Sequence, residues 1–142
     1  MDLVEIKKLI EQGDGKVEHE KYEEALSVYR KAVSLVPEPF QDQDISTEII
    51  TAIGDTYFLM GEYKKAYKAF SDVMLCPGAP ANAYIRLRRG QIAFEKKDMK
   101  IAKRELACAY MNGGKEIFDD ENVKYLQFIE PIMNKAILNQ YK

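Results

Sequence analysis

A chain of 142 residues with 46% hydrophobic and 31% charged side chains carries enough apolar surface to bury a core within one domain. That excludes a disordered segment and makes disulfide or metal staples unnecessary. With 21 basic against 23 acidic side chains the formal charge is -2, so no global positive field exists to hold nucleic acid or an anionic membrane.

The N-terminal stretch from Met1 to Ile10 mixes Asp2, Glu5, Lys7 and Lys8 with apolar residues and lacks the continuous run of a signal peptide. No later run approaches the length of a membrane span. Cys76 and Cys108 stand far apart and read as reduced thiols of a cytoplasmic protein rather than as a disulfide framework. Apolar residues at three- and four-residue steps predict helices over 2–18, 22–35, 44–60, 63–75, 82–96 and 99–111. Gly61 is placed to supply a left-handed turn, and Pro37-Glu38-Pro39 and Pro77-Gly78 end the second and fourth helices. Asn112-Gly113-Gly114 stops the sixth. After Asp119 and Asp120, taken as N-caps, Val123, Leu126, Ile129, Ile132, Met133, Ala136 and Ile137 predict a last helical segment. Pro131 within it predicts a kink or two short helices.

The helices repeat a pattern. Ile50, Ile53, Gly54 and Tyr57 are followed by Gly61-Glu62-Tyr63, then by Ala66, Phe70 and Pro77. Upstream, Gly13 precedes Tyr22, Ala25, Tyr29, Ala32 and Pro37; downstream, Gly90 precedes Met99, Ala102, Leu106 and Ala109. The small residues, with Gly54 and Ala66 as the clearest pair, are expected where two antiparallel backbones approach. This pattern resembles the tetratricopeptide repeat, whose unit is a helix hairpin with a period of about 34 residues. The resemblance covers Ile6 to Met111 and is closest in the second copy. In the third, Arg86, Arg89 and Ala93 replace large apolar, Leu and Tyr positions, and Ile85, Ile92 and Phe94 are expected to carry the packing. The implied fold is an all-α solenoid of three such hairpins, at about 6–39, 47–80 and 83–114, in a single domain. The segment at about 119–141 is expected to cap it, a dimer contact being the rival use.

No catalytic constellation is present. His19 is the sole histidine, which rules out a zinc set or a Cys-His dyad, and the acids Glu18, Glu20, Glu23 and Glu24 alternate with lysines as on a solvated face. There is no glycine-rich phosphate loop, and no metal or cofactor is expected. Arg86, Arg88 and Arg89, with Tyr84 beside them, form a candidate basic patch for a phosphate or an acidic segment. The expected activity is therefore protein binding.

The family resemblance implies a concave groove lined by the first helix of each hairpin. Its positions fall on Lys7, Ile10, Asp14, Val17 and Glu18 in the first copy, and on Glu48, Thr51, Asp55, Phe58 and Leu59 in the second. The third adds Tyr84, Leu87, Gln91, Phe94 and Glu95. Ile10, Asp14 and Asp55 stand where family members that clamp chaperone tails carry Lys, Asn and Arg, so that ligand is not expected. The spelling around Gly54-Asp55-Thr56-Tyr57-Phe58 and Leu87-Arg88-Arg89-Gly90-Gln91 is similar to small stand-alone bacterial proteins of this family. Among these are immunity proteins that neutralise toxin domains and chaperones for secreted proteins. The acids and aromatics of the groove predict a protein partner with basic and apolar contact residues, bound by a monomer or weak homodimer.

Overall fold

The computed structural model describes residues 1–142, and the chain parts into two compact units, Met1–Pro80 and Ala81–Lys142. The first unit holds α1 (Leu3–Glu18), α2 (Tyr22–Ser34), α3 (Asp44–Leu59) and α4 (Tyr63–Asp72), the last extended by a 3-10 turn at Val73–Leu75. The second holds α5 (Ala83–Glu95), α6 (Met99–Gly113) and α7 (Val123–Gln140). There are no strands. No helix is long and apolar enough to cross a membrane.

Several helix starts have a local side-chain cause. Asp2 accepts a hydrogen bond from the Glu5 amide at 3.1 Å, Asn82 from Ile85 at 3.0 Å and Asp98 from Ile101 at 3.3 Å, which satisfies amides left open in a first turn. The turns inside the three hairpins are equivalent. Glu20, Gly61 and Lys97 all have positive φ, at 59°, 77° and 66°. The next amide in each turn, of Lys21, Glu62 or Asp98, donates back to the carbonyl of Lys16, Tyr57 or Ala93 at 2.8 to 2.9 Å. This left-handed cap reverses the chain within a few residues. Only the second copy spells the turn with glycine.

The same equivalence holds in the packing. A Cβ on Gly13 would lie 2.4 Å from the Tyr29 ring, on Gly54 2.5 Å from the Phe70 ring, and on Gly90 2.6 Å from the Leu106 side chain. The glycine of each first helix therefore receives a large side chain of the second helix. Ala66 is fully buried, but the side chain seated on Gly54 belongs to Phe70. The Gly90 and Lys97 positions also fix the register of α5. The core of the first unit joins Ile6, Ile10, Ala25, Tyr29, Ala32, Ile45 and Ile49. In the second unit Ile85, Ile92, Ala102, Leu106, Phe118, Tyr125 and Ile129 are buried, whereas Phe94 is only half-buried.

The C-terminal segment differs from expectation in two ways. A 3-10 turn at Lys115–Phe118 follows Gly114, whose φ is 75°, so Asp119 and Asp120 lie in the connection and Asn122 caps α7, accepting from the Lys124 amide at 3.0 Å. Pro131 also sits inside one continuous helix rather than between two. The exposed position of Pro131 leaves water free to serve the carbonyl that lacks its amide partner. Tyr125, Ile129 and Met133 form the buried stripe of α7, while the residues beyond Met133 are all exposed.

Candidate binding faces and relatives in structure

In the first unit α1 and α3 lie side by side. Of the groove positions on α1, Lys7, Asp14 and Glu18 are exposed and Val17 is half-buried against the core, but Ile10 is only 3% exposed. Ile10 is thus corrected from groove to core, because its helical phase matches that of Ile6 and turns both towards α2 and α3. On α3, Glu48 and Leu59 are exposed and Thr51, Asp55 and Phe58 are half-buried, so all five remain accessible.

Tyr29, which the sequence marks only as a repeat position, lies beneath this acidic face and bonds one of its carboxylates. It is 1% exposed, and its phenol donates to Asp14 Oδ1 at 2.6 Å. Burial, then the bond to Asp14 and its negative charge, push the Tyr29 pKa far above the ordinary tyrosine range. Asp55 adds to the rise and a hydrogen bond with Thr56 opposes it. The phenol is thereby a fixed donor. The bond to Tyr29 holds the Asp14 carboxylate on α1, and Asp55 on α3 is near enough for its charge to be felt at the same phenol.

In the second unit the expected groove residues are occupied internally. Leu87 and Gln91 are 1% and 0% exposed, so neither offers surface. Phe94 packs edge-on against Tyr125 and Phe128 of α7, with centroids 5.3 and 5.4 Å apart. Glu95 accepts from the Tyr125 phenol at 2.7 Å and pairs with Lys124. Burial would raise the Glu95 pKa, but the hydrogen bonds from Lys124 and Tyr125 and the Lys124 charge outweigh it and hold the carboxyl below its usual range. Tyr84 accepts from Arg88 Nε at 3.1 Å.

The arginine cluster is likewise turned inward. Arg88 donates to Gln91 at 3.0 Å and to Glu121 at 2.9 Å, and Gln91 donates to the same Glu121 oxygen at 2.7 Å. Glu105, 1% exposed, receives Arg86 at 2.9 Å and Arg104 at 3.2 Å, with Arg89 Nε at 3.5 Å. A carboxylate so deeply buried requires cations around it, and the guanidiniums meet that need instead of forming an open patch. The sequence shows Glu105 and Glu121 only as two acids among many. Their roles follow from which helix faces meet. No group of three or more His, Cys, Asp and Glu side chains is arranged to hold a metal ion.

These features define an all-helical protein built from tetratricopeptide-like helix hairpins, with an accessible acidic and aromatic face on its first unit. No family model and no curated protein sequence matches the chain. Among solved structures it is similar to the type III secretion chaperone SycD of Yersinia enterocolitica in complex with a peptide of the translocator YopD. That likeness has a TM-score of 0.68 at 17% identity and covers 92% of this chain and 93% of the other. An alternative dimer of the same translocator chaperone superposes with a TM-score of 0.64 at 14% identity, covering 96% and 95%. At these identities the comparison establishes the fold.

Proposed function

We propose that the chain is a non-catalytic binding module that holds a basic, amphipathic segment of a client protein against the α1/α3 face, as a chaperone for a secreted or translocated partner. The carrying observation is the exposed acidic set on that face, Asp14 and Glu18 on α1 with Glu48 on α3 and half-buried Asp55, interleaved with Phe58 and Leu59. Apolar anchors supply most of the affinity of such a face, and the charges select and steer. The chaperone reading draws further support from the likeness to a structure that contains a chaperone with a translocator peptide. The face of α5 contributes little, because Leu87 and Gln91 are buried and Phe94 and Glu95 are engaged by α7.

The test uses the full chain and an amphipathic peptide of Lys and Leu at helical spacing, followed by fluorescence anisotropy. Glu48→Lys with Asp55→Lys should leave helical content intact, weaken binding by roughly tenfold and remove most of the salt dependence of association. Unchanged affinity in the folded variant would exclude this face. Proteins co-purified with the chain from its native cells should carry a segment of this character.

A further inference from the structure

A second groove lies between α3 and α4. Ile50, Ile53 and Ala69 line it together with Tyr57 and Asp72, and it forms an open hollow of about 370 Å³. A neighbouring hollow of about 420 Å³ shares Ile50 and Asp72 and continues past Leu75 to Phe40. Leu75 is 75% exposed, a high value for a leucine beside an apolar lining. The volumes lie in the range of small-molecule clefts.

The charge beside Tyr57 is of one sign. Arg30 of α2 donates to the Tyr57 phenol at 2.9 Å, and Lys65 of α4 stands 5.7 Å from the centroid of the same ring. Both side chains are exposed, and neither makes an ion pair. Asp72 is neutralised by Lys68, at 2.7 and 2.8 Å. The charged side chains at this groove, Arg30, Lys65 and Lys68 against Asp72, are therefore positive on balance, although the chain as a whole is slightly acidic. An arginine and a lysine bracketing one phenol make a seat for a carboxylate, with the guanidinium able to bond it in a planar, two-pronged way.

We propose that this groove docks an acidic, apolar segment of a partner protein, with a Glu or Asp carboxylate between Arg30 and Lys65 and apolar side chains on Ile50, Ile53 and Leu75. Charge complementarity selects this occupant over the basic segment sought by the α1/α3 face. The proposal stands independently of that face, since the two share no side chain.

The experiment uses the full chain and a labelled peptide that alternates Glu with Leu, with a Lys-for-Glu peptide as the comparison. The acidic peptide should bind, shift the methyl resonances of Ile50 and Ile53, and lose about tenfold or more in affinity in Arg30→Glu with Lys65→Glu. The milder pair Arg30→Gln and Lys65→Gln should give a smaller loss in the same direction. Glu48→Lys with Asp55→Lys should leave this binding unchanged, so failure at one face is distinguishable from failure at the other. Equal binding of the lysine peptide, or unchanged affinity in the charge-reversed variant with native helical signal, would overturn the proposal. So would a concentration-dependent dimer abolished by the same charge reversal, which would assign the groove to a second copy of the chain.

Discussion

Gly54 of α3 and Phe70 of α4 meet so closely that a Cβ on the glycine would fall 2.5 Å from ring carbon Cε2. Phe70 is 1% exposed and has no room to withdraw. Gly54→Leu should therefore separate the hairpin and cost about 3 kcal/mol, visible as a lower Tm and a lower denaturant midpoint. Gly15 is the contrast, since nothing lies within 4 Å of its added Cβ. Gly15→Ala, in the last turn of α1, should instead stabilise by a few tenths to about 1 kcal/mol. Equal effects at the two glycines would contradict the packing described.

The hairpin turns offer a second test. Glu20 and Lys97 occupy left-handed backbone, at φ of 59° and 66°, where the second copy has Gly61. Glycine adopts that conformation without strain, although it adds freedom to the unfolded chain. Glu20→Gly and Lys97→Gly should each raise stability by a few tenths to about 1 kcal/mol. Gly61→Ala should lower it by a similar amount.

Arg88 and Glu121 form a pair whose side chains are 10% and 16% exposed. Glu121→Ala removes the carboxylate that both Arg88 and Gln91 meet, which should cost on the order of 3 kcal/mol. Replacing Arg88 and Glu121 together by Met and Leu should cost much less than the single change. Urea unfolding of the single and double variants decides this, and an additive result would argue against a coupled pair.

Removal of residues 121–142 should expose the faces of α5 and α6 that now meet Tyr125, Ile129 and Phe128, with aggregation or loss of cooperative unfolding. Truncation after Asn134 removes only exposed side chains, among them Ile137 at 51% and Tyr141 at 82%. That shorter deletion should leave Tm nearly unchanged in calorimetry. Sedimentation would show whether the exposed end contributes to self-association.

The Glu95 carboxyl titrates lower in the folded protein than its ordinary value of 4.5. Its contribution to stability is thus complete above the unfolded value and disappears as pH falls through the depressed folded one. Glu95→Gln should flatten the acid limb of the stability curve below about pH 4.5. Urea midpoints measured between neutral pH and pH 3 check the sign. A variant whose acid limb matched the parent would show that Lys124 and Tyr125 do not stabilise the charge.

Much of this architecture was legible in the chain. Helical periodicity and the recurrence of Gly13, Gly54 and Gly90 before Tyr29, Phe70 and Leu106 place six helices nearly where they stand, because local spacing dictates which faces are apolar. The turn at Gly61 was readable from its residue type. Its counterparts at Glu20 and Lys97 were not, since backbone geometry there overrides residue preference.

Which side chains stay outside was decided only by tertiary structure. The groove positions on α3 remained accessible, whereas Leu87 and Gln91 on α5 turned inward and the arginine cluster closed onto Glu105 and Glu121. A sequence records that these charges exist. Their partners lie one or more helices away, so helix packing settles which of them form buried pairs and which are left to meet a ligand.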